Sequence, residues 1–414
     1  MKSKAQLVVE ASLFWYFLKS QSLSFCIGFF HRIFAQVLAM NIFSALKRYL
    51  LVVVEALLCG PSYARFFYWS RNTRILDPDA TWDRFTKLEN RYIRGLFRHY
   101  PPAPMRQLLT TLYPKFRDRV KGIAYHYDIS NDFYRLFLDR DYMLYTCADF
   151  LSGQDTIEVA QRQKADFILN LIDPQPGERI LELGCGWGCM MKLIYEHTGD
   201  RDNLSGYTLS VEQKRFIDEA YGFNVELKDV VTTDYAPASW DKIYSIGCME
   251  HVPKNQLLPL AQKLAAAIKP TGHLVHYFFC QMSAAPPAKM LVGGADVFPG
   301  VELATWQQHL DTFEQAGLRV AHHSIHDYRP TLRAWFERLV AHQIEAVELV
   351  GVRTYNRYLC YLAEAWRLFN DRDLLLMRFV LTRQDAPKVW VSPLYATDRT
   401  KSPVAQPEAV LQPA

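Results

Sequence analysis

Ile180-Leu181-Glu182-Leu183-Gly184-Cys185-Gly186-Trp187-Gly188 decides how this chain is read. A short apolar run ends beside an acid and passes into three glycines at alternate positions. An apolar stretch at helical spacing, 188–197, follows. That is the pattern of strand, tight turn and helix. Glycine suits such a turn because the backbone must bend sharply and approach a ligand with no Cβ in the way. The helix after it offers free N–H groups to a carboxylate or phosphate. Glu182, at the strand end, is placed to accept hydrogen bonds from a ligand's amine. The spacing is G-x-G-x-G, not the G-x-G-x-x-G of dinucleotide sites, and the next strand ends in Thr208 rather than in an acid that would hold a ribose. The plainer alternative is a turn that binds nothing.

The same grammar extends on both sides. Residues 157–172 have helical periodicity and Pro174–Gly177 reads as a turn. Strands are expected at Arg179–Leu183, Leu204–Thr208, Val225–Lys228, Lys242–Ile246, His273–Phe279 and Leu374–Leu381. Helices are expected at Val211–Tyr221, 256–268, 331–349 and 353–369. Strands alternating with helices imply an α/β fold with a doubly wound, mostly parallel sheet.

The 414 residues are 50% apolar and 22% charged, which suits a globular protein. The net charge of +4 hides a split. Residues 1–121 hold 19 Lys and Arg against 7 Asp and Glu, and the remainder is acidic. A basic, aromatic front such as Arg65-Phe66-Phe67-Tyr68-Trp69 points to an anionic partner, here a membrane surface rather than nucleic acid; the bland reading is a solvated face. Apolar runs at 33–46 and 49–54 are too short to span a bilayer and suit interfacial helices. Three regions follow: 1–120 basic and helical (1–45 an extension), 121–390 the α/β domain, and a loose tail at 391–414. Eight cysteines form no zinc or disulfide pattern, so no metal is expected and a cytoplasmic location fits.

Several stretches, in order, resemble the cyclopropane-fatty-acyl-phospholipid synthase family of S-adenosyl-L-methionine-dependent methyltransferases, which includes the mycolic acid cyclopropane synthases. They are His126–Tyr134, Tyr145–Ala148, Leu183–Gly188, Thr208–Gln213, Ser245–His251, Phe298-Pro299-Gly300 and Trp335–Arg338, within roughly 121–383. The resemblance implies a seven-stranded, Rossmann-like class I methyltransferase fold. It places cofactor contacts at Tyr145, Thr146, Glu182, Gly184, Cys185, Gly186, Gly188, Thr208, Leu209 and Gln213. A further adenine contact falls near Asp229, where the spacing departs from the family's by a few residues.

The resemblance also implies a bicarbonate ion acting as base, held by Cys147, Glu250, His276 and Tyr328, with a main-chain contact at Phe278. Taken singly, Cys147 reads as a buried small hydrophobe and His276 as a core histidine. The implied reaction is methyl transfer to the double bond of an unsaturated fatty acyl phospholipid, closing a cyclopropane ring, at the inner face of the cell membrane. A homodimer is compatible with this. The sequence departs from the family at Tyr277-Phe278-Phe279-Cys280, which is bulkier, and at 281–297, which lacks the usual Trp-Ile stretch. The rival readings are a methyl-branched or methylene product, methylation of an amine, and an inactive lipid-binding relative.

Overall fold

The computed structural model describes Trp69, residues 72–86, 129–282 and 303–387, and Trp390. All lie in the unit that begins at Tyr63. The boundaries near 120 and 391, the His126–Asp128 end of one motif and the Phe298-Pro299-Gly300 turn fall outside the described residues.

Seven strands form one sheet. They are β1 (Ile180–Leu183), β2 (Leu204–Thr208), β3 (Asn224–Leu227), β4 (Trp240–Ile246), β5 (Ile268–Gln281), β6 (Leu318–His326) and β7 (Leu374–Arg383). Their order is β3-β2-β1-β4-β5-β7-β6. The first five are parallel, and β7 runs antiparallel between β5 and β6. Both β1 and β4 are covered on both faces, which is why 180–183 and 243–246 are nearly unbroken apolar runs.

The helices are α1 (Pro78–Thr86), α2 (Asn131–Phe137), α3 (Ile157–Ile172), α4 (Cys189–Thr198), α5 (Val211–Ala220), α6 (Lys254–Ala267), α7 (Trp306–Gln315), α8 (Arg329–Ala341) and α9 (Gln343–Asn370). Polar caps set several starts. Thr156 Oγ1 accepts from Val159 N before α3, and Ser210 Oγ accepts from Gln213 N before α5. Leu274, Phe278 and Phe379 face α6 and α7 in one core. Val275, Tyr277 and Val380 face α3 and α4 in another. A third layer joins α1, α2, α8 and α9. There Asn356 accepts from Leu76 N and donates to the carbonyls of Asn72 and Arg74, so 72–86 lies against α9.

Three elements escaped the sequence reading: α2, α7, and β6 with its sequence Leu-Arg-Val-Ala-His-His-Ser-Ile-His. The strand lies at the sheet edge, mostly half-exposed, so no apolar alternation marks it. The late helices are also cut differently. One break follows Ala341, and α9 is interrupted at Gly351 (φ 76°, ψ 158°). Among the described residues, no helix is long and apolar enough to cross a membrane.

Candidate active site

The chain runs outward from β1 through β2 to β3, then returns to β4 on the other side of β1. This reversal leaves a crevice at the carboxyl ends of β1 and β4, the usual ligand position in such sheets. A cavity of about 980 Å³, counted out to its open mouth, occupies that position. The β1 turn contributes Glu182, Gly184, Cys185 and Gly186 to its wall, the end of β2 contributes Thr208 and Leu209, and the first turn of α5 contributes Gln213. Asp229 comes from beyond β3, and Tyr145 and Thr146 come from the segment before α3. Of the eleven residues expected there, only Gly188 is off the wall. It caps α4 at φ 79°, and a Cβ on it would lie 3.0 Å from Ile217 Cγ1.

The wall has a definite chemistry. A Cβ at Gly184 would come within 2.7 Å of both Cβ and Sγ of Cys248, so no larger residue fits. A Cβ at Gly186 (φ 53°) would meet nothing within 4 Å. Glu182 is buried; its Oε2 accepts from Tyr244 OH at 2.7 Å, and its Oε1 has no hydrogen bond. Burial pushes this carboxyl up to about 8, against the pull of the Tyr244 hydrogen bond and the charge of Lys164. Thr208 Oγ1 donates to Gln213 Oε1 at 2.8 Å and accepts from Ser210 N, tying the end of β2 to α5. Burial raises the thiols of Cys185 and Cys189 far above their ordinary range and that of Cys147 to about 12. Two of the thiols in the crevice wall, Cys185 and Cys189, are therefore held protonated.

The four expected catalytic residues divide between the two faces of the sheet. Successive residues of β5 point to opposite sides. His276 faces α7: its ring stacks on Phe278 at 4.1 Å, and its Nε2 lies 3.4 Å from His309 Nδ1. Burial keeps both histidines neutral, His276 well below its usual range and His309 at about 3. Glu250 follows β4. Its Oε1 accepts from Phe279 N at 3.0 Å, on the side of β5 that β4 no longer covers, and burial pushes it up to about 8. Cys147 and Tyr328 pack on the opposite face, around Tyr277. Tyr277 OH donates to Cys147 O at 2.8 Å, and Cys147 Sγ donates to Asp327 O. None of the four lines the cavity described above.

The model of the mycolic acid cyclopropane synthetase family matches residues 115–379. This chain belongs to that family. It is 32% identical over 284 residues to a protein of Mycobacterium tuberculosis named "probable fatty acid methyltransferase", an alignment covering 66% of this chain and 65% of that relative's length. It is 30% identical to cyclopropane mycolic acid synthase 2 of Mycobacterium leprae, over 64% of this chain and 94% of the relative. Among solved structures, the cyclopropane synthase MmaA2 of Mycobacterium tuberculosis superposes with a TM-score of 0.60 at 26% identity, covering 64% of this chain and 99% of that one. The mycolic acid cyclopropane synthase CmaA1, solved with SAH and CTAB, gives 0.59 at 25% identity, covering 64% of this chain and 99% of that one. Coclaurine N-methyltransferase, at 18% identity and a TM-score of 0.59, shares the fold. The seven-stranded sheet is that of Rossmann-like class I methyltransferases.

Within this family member, the bicarbonate that the resemblance implies does not fit the four residues as one ligand set. Glu250 Oε2 and His276 Nδ1 are buried without hydrogen bonds. Cys147 and Tyr328 pack on the other face of β5 from His276, so the four side chains do not converge on one point as they stand.

Other residues that support the site's walls were missed by the sequence reading. Tyr244 sits beside Glu182 in the β1–β4 register, a neighbour visible only once the strands are paired. Arg378, fully buried on β7, forms a two-pronged pair with Asp149 at 2.7 and 2.8 Å. A charge inside an apolar strand is the sequence signal that could have found it.

Proposed function

We propose that this S-adenosylmethionine-dependent methyltransferase methylates the double bond of an unsaturated fatty acyl chain carried in a phospholipid and closes a cyclopropane ring. The observation that carries the reading is the convergence of ten cofactor-type residues on one crevice at the β1–β4 reversal, in a chain of this family. The crevice fits the cofactor: it has open space over Gly186, a carboxylate oxygen of Glu182 with no partner, and a helix amino terminus beyond Gly188. When bound, S-adenosylmethionine supplies a methyl group on a sulfonium.

The chain's own groups prepare for that chemistry. Glu182 accepts from the ligand's donors and balances its positive charge. The protonated thiols of Cys147, Cys185 and Cys189 do not compete with the weakly nucleophilic olefin. Buried walls keep water from the cation that methylation leaves behind. Glu250, with an unpartnered buried oxygen, is the group suited to take the ring-closing proton once ionised; burial raises its carboxyl to about 8, so this step should quicken as pH climbs towards that value.

A methyl-branched or methylene product is the second reading, favoured by the separation of His276 from Cys147 and Tyr328. Expression in a bacterium lacking its own synthase tests both. Lipid mass spectrometry should show acyl chains heavier by one CH₂ unit, and proton NMR should show cyclopropane signals at high field. The mass gain without those signals supports the second reading, and no mass gain refutes both.

The basic region before residue 121 is proposed to bring the enzyme to the anionic inner face of the cell membrane.

A further inference from the structure

Residues 139–149 cross the carboxyl edge of the sheet without regular secondary structure, yet they supply Tyr145 and Thr146 to the crevice wall. Irregular backbone has no ladder of its own, so side chains must fix its shape. Asp139 accepts the N–H groups of Tyr142 and Leu144 at 2.6 and 2.8 Å. From α3, Gln161 Nε2 donates to the carbonyl oxygens of Leu144 and Thr146, both at 2.9 Å. One turn further along the same helix face, Lys164 Nζ donates to Thr146 Oγ1 at 2.9 Å. On its other side Thr146 meets the turn after β4, where a Cβ on Gly247 would lie 2.9 Å from Thr146 Cγ2. Thr146 is thus gripped between α3 and the end of β4.

Lys164 is an expensive way to make that grip. It is fully buried, and its single hydrogen bond goes to a neutral hydroxyl. Asp139 and Asp149 act on it only through space, and burial still pushes its ammonium down to about 8. An apolar side chain of similar length would avoid that desolvation, so stability does not account for a lysine here. Gln161 is equally buried, and its Oε1 is left without a partner. Both side chains spend their donors on one short strap.

We infer that Gln161 and Lys164 are positioning residues whose joint grip sets the Leu144–Thr146 strap at the height where it closes the cofactor crevice. This rests on reading that crevice as the S-adenosylmethionine site.

Titration calorimetry of S-adenosylmethionine binding to the full chain tests it, with thermal unfolding of each apo protein alongside. Lys164→Met and Thr146→Val should each weaken binding at least tenfold, and the double variant should be no weaker than about twofold below either one, because both remove the same bond. Apo unfolding midpoints should stay within a few degrees of wild type, and Lys164→Gln, which keeps a donor, should regain most of the affinity. Wild-type affinity in Lys164→Met, or losses that multiply in the double variant, would overturn the inference while leaving the cofactor site standing. If Lys164→Met does not fold, Gln161→Met decides: a tenfold loss supports the grip and unchanged affinity overturns it. A wild-type chain that binds no S-adenosylmethionine sinks the function and the grip together.

Discussion

Glu182 combines three properties that together predict a titration. It lines the crevice, one of its oxygens is held by Tyr244, and burial raises its carboxyl to about 8. At pH 7 the free protein therefore holds a proton there. A cationic ligand beside the carboxylate favours the ionised form, so binding should expel that proton. The sign follows: affinity should rise as pH climbs towards 8 and level off above it. Calorimetry at pH 7 in buffers of different ionisation enthalpy should show release of up to about one proton, absent in Glu182→Gln. Heats that do not depend on the buffer would rule this out. The acid and its place at the strand end were legible in the sequence because they belong to one contiguous turn. Its partner Tyr244 was not, because that contact depends on the register between two strands 62 positions apart.

Among elements, the join between the 139–149 segment and β7 is electrostatic. Burial works against a charge on Asp149, yet Arg378 and His326 hold its carboxyl well below the usual range. The pair's contribution is thus fully present above the unfolded carboxylate range and is lost progressively as pH falls from there through the folded value well below it. Asp149→Ala would leave Arg378 charged at 0% exposure, which typically costs about 3–5 kcal/mol. Urea unfolding at pH 7 should show a loss of that size, shrinking at low pH; a loss under about 1 kcal/mol would mean that water reaches the guanidinium. Buried strands and amphipathic helices could be read from periodicity. The edge strand β6 could not, since its histidines, serine and arginine face partly into solvent and leave no apolar rhythm. The four expected catalytic residues show the same limit. Their order along the chain is plain, but the face of β5 that His276 takes is settled by the alternation of the pleat, which places Tyr277 beside Cys147 instead.

For the whole molecule, the charge split makes a prediction about where the enzyme works. Each well-placed Lys or Arg near anionic lipid contributes about 1 kcal/mol, and salt screens the effect. The full chain should sediment with vesicles containing anionic lipid, far less with zwitterionic ones, and less as salt is raised. Equal binding to both would remove the electrostatic argument for the basic front. At the other end of the scale, the crevice behaves as an interlocked knot. The wall at Gly184 meets Cys248, and Gly247 meets Thr146, with no room for an added methyl at either glycine. Three stretches far apart in the chain must therefore change together or not at all. A change of methyl donor would require simultaneous edits at several sites. In a lineage descended from this chain, the cofactor should be among the last features to change.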